Sequence, residues 1–534
     1  MFHQLLAPVG GALLPSFLVA ALPILAVLVG LGVLRRPAWQ ASLAGLVVGL
    51  IVAIGPWHFP LGLALSSVAE GATFAVWPIM WIVFNALLLY NVAVRAGRFD
   101  AFRDWLLEHM PNDRRVVLIV IGFCFGALLE GIAGFGTPVA ITSSLLILVG
   151  FPALDALVFT LIFDTAPVAF GALGVPITVL GAVTHLPPNV LGAMVGRQLP
   201  FFALLLPFYV IGVYGGLRSV RALWPVLLVA GGSFATVQFL SSNFVSYALT
   251  DVLSSLGALV ATLAFLQRWN PAPDPKYAIA GERGAGRDTG TRSLWFAWSP
   301  WIVVTAVVIA WTSFGIFKFG DAKIPWPGLD KAVAITLYKD MPYAAVWDFQ
   351  PLATGTAILL AALVTAFLVK LPLRTLAACA VATWRQISVA VATVMLIIGL
   401  AYLMNYSGLT YTLGLGVSSV GPLFVVLSPF LGWVAVLLSG SDTSGNALFG
   451  NLQVVAANQL RLDPVLFAAT NSSGGVMGKM ISPQNLATGT AVTDLRGQEG
   501  RVFARTFPHS LILTALLGLL VALQQFVVPW VVPH

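Results

Sequence analysis

The chain has 534 residues, of which 59% are hydrophobic and 9% charged, with a mean hydropathy of +0.95. That balance excludes an ordinary soluble globule and predicts an all-α polytopic membrane protein in contact with the lipid bilayer. The net charge of +7 then reads as basic cytoplasmic loops rather than as nucleic-acid binding.

The start, MFHQLLAPVGG, carries no Lys or Arg and makes a poor signal peptide. Its apolar continuation reads as a first span. Long uncharged runs predict twelve helices, near 13–34, 39–55, 72–94, 153–182, 189–216, 222–240, 244–267, 294–316, 351–369, 386–405, 463–493 and 507–530. Residues 116–154 and 422–460 stand apart. Each carries one charge, Glu130 in the first and Asp442 in the second. Two full spans need about 40 residues plus a turn, so each segment fits a re-entrant hairpin better, over 116–150 and 422–460. A pair of tight spans is the alternative. Gly131, Gly134 and Gly136 permit a non-helical turn at the first tip, and Pro138 can start the returning helix. Non-helical backbone at this depth must be buried in protein or line a polar cavity. Either version therefore places the two tips inside.

With the N-terminus outside and both segments as hairpins, one face collects Arg35–Arg36, the 95–115 loop, Arg218, Arg221, the 268–293 loop, Lys370–Arg385 and Arg496–Arg505. These hold 20 of the 27 basic residues, so that face is expected to be cytoplasmic and both termini periplasmic. The two halves align at an offset near 311: Gly97 falls on Gly408, Pro111 on Pro422, and Glu130 on Ser441. The charged loop 95–115 corresponds to the uncharged 406–421, which predicts an inverted repeat. The expected organisation is residues 1–216 as the first repeat, 217–293 as a connecting helix pair with a cytoplasmic linker, and 294–534 as the second repeat.

Each predicted hairpin is followed by a second break, DTAPVAFGALG from Asp164 and NSSGGVMGKMISPQN from Asn471. Broken helices repeated in two halves are the best sequence pointer to a transport site. A buried charge there costs about 2.5–3.5 kcal/mol on insertion scales and needs a reason. Glu130, Asp442 and Asp164 are the candidates for proton coupling. Their alternative role is to cap freed backbone N–H groups. Lys479 can meet a substrate carboxylate, pair with Asp442 or snorkel. The other candidate substrate contacts are Asn471, Ser472, Ser473, Gly474, Gly475, Ser441, Thr443, Ser444, Asn446, Gly134, Gly136, Thr137 and Thr165. Arg197 reads as a structural ion pair, Glu70 as interfacial, and Asp251 as lying near a helix end. Cys124 and Cys379 are too isolated for a disulfide or a metal site, and no cofactor is expected. No Walker motif or nucleophile elbow is visible. A secondary transporter is the leading class, with a membrane-embedded enzyme and a passive channel as alternatives.

The motifs LLEGIAGFGTPVAI, DTAPVAFGALGVPI, GSDTSGNALFGNLQ and NSSGGVMGKMISPQN resemble the L-lactate permease family of bacterial inner membranes, and the similarity extends over nearly the whole chain. The resemblance implies proton-coupled uptake of lactate, glycolate and other short 2-hydroxymonocarboxylates, with sodium as the runner-up ion. It implies kinship with the ion transporters built from hairpin-containing inverted repeats. Asp164 stands where some members of the family carry Asn. The oligomeric state is not readable, a homodimer being one option.

Overall fold

The computed structural model describes the chain except residues 109, 133, 135–136, 280–293 and 534, together with a few helical side chains, Thr137 among them. Helices start where the sequence supplies a cap. Asp463 accepts from the amides of Val465 (2.9 Å) and Leu466 (3.3 Å), with Pro464 opening the helix Pro464–Lys479. Ser441 caps Asp442–Gln459, Ser482 caps Pro483–Val492, and Asp113 accepts from the Arg115 amide. Outward faces stay apolar: Leu18, Leu22 and Leu25 of Leu13–Leu28 and Leu519 and Leu523 of Glu499–Phe526 are all exposed. Such a surface suits lipid rather than water.

Every predicted helical run contains a helix, but the count of spans differs. Among the described residues, eight helices are long and apolar enough to cross a membrane, or nine if the bent pair Ala153–Phe163 and Val168–Thr184 is one span. Ala38–Ile54, Trp298–Trp311 and Thr354–Leu368 are shorter apolar helices. The expected pair 189–216 and 222–240 forms a continuous run, Pro188–Phe244, interrupted at Gly216, whose φ of 69° only a glycine adopts readily. The expected helix 463–493 is two pieces, Pro464–Lys479 and Pro483–Val492. Most of the predicted 268–293 linker lies outside the described residues.

Contacts sort the loops into two ends. At one end, the Arg114 guanidinium donates to the carbonyls of Gly150 (3.1 Å) and Lys276 (2.8 Å), and the Ile279 amide donates to Asn112. There too Arg115 pairs with Asp113 and lies 4.1 Å from the centre of the Tyr277 ring. At the other end, Phe2–His3 pairs in parallel with Val333–Ile335, which runs antiparallel to Met341–Pro342. A second ribbon pairs Ala322–Pro325 with Val346–Phe349, Ala322 opposite Phe349. His185 meets Tyr343, Asn458 meets Tyr338, and Arg197 donates to the Val531 carbonyl, so both terminal regions share this end.

The two special segments double back. Residues 114–150 begin and end together, as the Arg114–Gly150 bond requires. Phe424–Ser439 and Asp442–Gln459 meet at Gly440 (φ 73°). Phe424 packs on Phe467, and Asn458 reaches Tyr338, so this segment opens toward the opposite end. The two tips meet in the middle.

Candidate functional site

Between the tips lies a small cavity of about 50 Å³. The first half of the chain contributes Glu130 and Gly134 from its tip, and Val168, Gly171, Ala172, Val175 and Pro176 from its broken helix. The second half contributes Gly440, Ser441, Asp442 and Thr443 from its tip, and Lys479, Gln484 and Asn485 from its break.

The first break is a backbone feature. Ala172, Leu173 and Gly174 have φ of 45°, 58° and 78°, three left-handed residues in succession, and the flanking helices bend by 64°. Left-handed conformations cost non-glycine residues about 1–3 kcal/mol each and persist where the surroundings enforce them. Gly171 leaves room for the neighbouring acid: a Cβ there would lie 2.7 Å from Glu130 Oε1. The regular helix resumes at Val175, so its N-terminal end faces the cavity. The N-terminal turns of Asp442–Gln459 and Pro483–Val492 do the same through Ser441–Thr443 and Gln484–Asn485. Helix N-termini carry partial positive charge and orphan N–H donors, so their convergence favours an anion.

Lys479 is the cation among the described lining residues. Its Nζ lies 2.8 Å from Glu130 Oε1 and 3.0 Å from Asp164 Oδ2, all three side chains being buried. Of the options open for Lys479 from sequence, the ion pair is the one formed, but with Glu130 and Asp164 rather than with Asp442. Snorkelling is excluded by its position beside a central break. Asp164 does not N-cap the helix that follows it. It ends Ala153–Phe163 and faces Lys479.

Asp442 is held by neutral groups. Its Oδ2 accepts from Ser472 Oγ (2.6 Å) and Asn446 Nδ2 (3.2 Å). Asn446 also donates to the Pro176 carbonyl at 3.2 Å, tying the second tip to the first broken helix. Behind it, Asn471 donates to Asn446 (2.9 Å), and Gln453 donates to Asn471 (2.9 Å). Ser428 bonds to Gln453.

Of the residues singled out from sequence, Glu130, Asp442, Lys479, Ser441, Thr443 and Gly134 line the cavity. Asp164 reaches it through Lys479. Asn446, Asn471 and Ser472 do not line it but orient Asp442. Ser444 uses its amide on the Ser441 cap. Ser473 is buried away from the cavity. Gly474 and Gly475 serve packing: a Cβ on Gly474 would collide with the Pro429 carbonyl, and one on Gly475 with Asp442 Oδ1. Thr165 donates to the Ile162 carbonyl (2.7 Å) at the end of its helix. Gly136 and the side chain of Thr137 lie outside the described parts. Gln484 and Asn485 escaped the site reading, although the motif ending in SPQN contains both. The Ser–Pro pair before them was the available signal, since it starts a helix.

Three other sequence readings change. Glu70 lies inside Leu61–Phe74, rather than before a span, and is buried by protein. Arg197 is held by Asn243 Oδ1 (2.8 Å) and the Val531 carbonyl rather than by an acid. Asp251 does lie near a helix end, as read, but it is fully buried.

Spanning helices, two doubled-back segments meeting from opposite ends, and a buried polar cavity at broken helices define a multi-pass membrane transport protein. The L-lactate permease family model matches residues 16–528. An L-lactate permease of Salmonella typhi is 41% identical over 100% of both chains, and the glycolate permease GlcA of Escherichia coli K12 is 39% identical over 98% of both. The chain belongs to the L-lactate permease family. Among solved structures, MtrF of Neisseria gonorrhoeae, described within a class of antimetabolite efflux pumps, aligns with a TM-score of 0.50 over 94% of this chain and 98% of its own, at 12% identity. That likeness concerns the fold alone.

Proposed function

We propose that this protein is a proton-coupled symporter of small 2-hydroxymonocarboxylates, L-lactate foremost with D-lactate and glycolate, working by alternating access in the bacterial inner membrane. The names of its relatives supply the substrate class. The observation that carries the reading is Lys479: one cation, flanked by two carboxylates, at the wall of a cavity met by three helix N-termini.

The chemistry follows from charge. Glu130, Asp164 and Lys479 sum to one negative charge when both acids are ionised, and Asp442 adds another. A lactate anion entering beside them is repelled. Protonating one carboxylate of the trio brings the trio to neutrality, leaving Asp442 as the remaining negative charge, and frees an N–H of Lys479 for the substrate carboxylate. Glu130 suits that role because it touches both the cavity and Lys479. The proton also offsets electrical work: carrying one negative charge inward against ~100 mV costs about 2.3 kcal/mol. Ser441, Thr443, Gln484 and Asn485 are available to the 2-hydroxyl group. A dicarboxylate would need a second cation.

Segments 114–150 and 422–460 act in this reading as re-entrant hairpins of an inverted repeat, residues 1–216 and 294–534, joined through 217–293. Their opening toward opposite ends supports it. The end holding both terminal regions is assigned to the periplasm, because the basic loops belong to the other. The test is lactate uptake into proteoliposomes with proton and sodium gradients imposed separately. Accumulation under the proton gradient alone is expected. Accumulation under sodium alone would replace the ion, and stronger inhibition by succinate than by glycolate would replace the substrate class.

A further inference from the structure

Asp251 belongs to no role described so far. It lies in the first turn of Thr250–Leu266, is 0% exposed, and neither of its carboxyl oxygens has a hydrogen-bond partner among the described residues. It stands directly behind the first tip: a Cβ built on Gly131 would lie 3.2 Å from Asp251 Oδ2, and Gly131 follows Glu130. The charged groups in electrostatic range are Glu130 on the tip helix, Asp164 on the broken helix and Lys479 on Pro464–Lys479. Of the other titratable groups on elements packed here, Tyr247 bonds to Thr178 (3.1 Å), and Cys124 lies by Thr262, far along the same helix. Gln238, from the long neighbouring helix, is committed to the Ala166 carbonyl.

These facts decide the charge state. An ionised carboxylate buried without hydrogen bonds or a contacting cation is far costlier than a neutral carboxyl with one unmet O–H. The dipole of its own helix favours a negative charge only weakly. Lys479 is already engaged by two other acids.

We propose that Asp251 is a protonated carboxyl in this conformation and serves as a proton store behind Glu130, exchanging its proton with Glu130 during transport. The step is balanced: the proton leaving one carboxyl is gained by the other, and no further reactant enters. Asp251 is thus a coupling residue that never touches the substrate. The inference rests on the proton-coupled reading above.

Two measurements test it on the full-length protein. The first is infrared spectroscopy near neutral pH. Wild type should show a protonated-carboxyl stretching band that Asp251→Asn lacks and Asp251→Glu shifts; identical spectra for wild type and Asp251→Asn would overturn the assignment. The second is lactate accumulation in proteoliposomes under a pH gradient of about one unit, which at one proton per lactate drives about tenfold accumulation. Asp251→Asn should fall to plain equilibration, and Asp251→Glu should recover part of the gradient. If wild type accumulates and Asp251→Asn does so equally, the proton store is wrong while the coupling reading stands. If wild type itself does not accumulate under the pH gradient, the coupling reading fails and this inference falls with it.

Discussion

At the first tip and break, two acids share one partner: Glu130 and Asp164 both meet Lys479, which comes from the other half of the chain. At the second tip, the single acid Asp442 is held by Ser472 and Asn446, neutral groups of its own half. The halves follow one plan, a doubled-back segment and then a broken helix, yet are equipped differently. The first is rich in carboxylate and poor in donors. The second holds the cation, the amides and two of the helix N-termini at the cavity. On the proposed reading the first half handles the proton and the second the substrate anion. Neither half is complete alone, since the ion pair crosses between them.

The largest effect that can break this comparison comes from removing the crossing cation. Lys479→Gln leaves Glu130 and Asp164 buried without a counter-charge. Breaking one side of a buried pair costs about 3–5 kcal/mol. A clear fall in thermal stability of the purified protein is expected, with loss of lactate binding by calorimetry. The triple variant Lys479→Gln, Glu130→Gln and Asp164→Asn, which leaves none of the trio charged, should recover much of the stability and none of the binding. Unchanged lactate affinity in Lys479→Gln would leave Lys479 as a structural counter-ion.

A smaller effect sharpens the packing side of the contrast. Phe424–Ser439 lies so close to Pro464–Lys479 that Gly432 abuts the Asn471 carbonyl and Gly474 abuts that of Pro429. Gly474→Ala drives a methyl group into the Pro429 backbone carbonyl, and overpacking of this kind costs about 1–3 kcal/mol. Thermal unfolding should show the loss, while lactate affinity of the folded fraction stays close to wild type. A variant with normal stability but weakened binding would return Gly474 to the site.

The sequence made the tips and breaks legible because a lone acid among glycines in an apolar run has few explanations. All three residues singled out in this way, Glu130, Asp442 and Lys479, lie at one cavity. What it could not give was pairing. Lys479 lies 349 residues from Glu130 in the chain, and no local pattern distinguishes that partner from Asp442. Gly474 and Gly475 looked like ligand contacts because glycine serves close approach to a ligand and to a helix equally. Asp251 looked like an ordinary helix-end acid because depth is set by the neighbouring helices, not by its own segment. The expected spans 351–369 and 39–55 form helices of only 15 and 17 residues, Thr354–Leu368 and Ala38–Ile54, because the length of an uncharged run does not fix where its helix stops.

The smallest effect on stability is the most telling for function. Glu130→Gln keeps the size of the side chain and leaves Lys479 paired with Asp164 at 3.0 Å. The trio then changes from one excess negative charge to neutrality. Lys479 keeps Asp164 as its counter-ion and no charge of the trio is left uncompensated, so stability should fall much less than in Lys479→Gln, where removing one side of a buried pair strands the other. That asymmetry between two members of one ion pair is a direct test of the shared-cation geometry. Transport should respond in the opposite order. A glutamine cannot bind and release a proton, so accumulation under a pH gradient should collapse toward equilibration, while exchange of external for internal lactate, which moves no net proton, is reduced far less. Asp442→Asn provides the control from the other half: its acid is held by neutral donors, so the same substitution there should affect affinity more than coupling. If Glu130→Gln accumulates lactate as wild type does while Asp442→Asn does not, the assignment of the two halves is reversed.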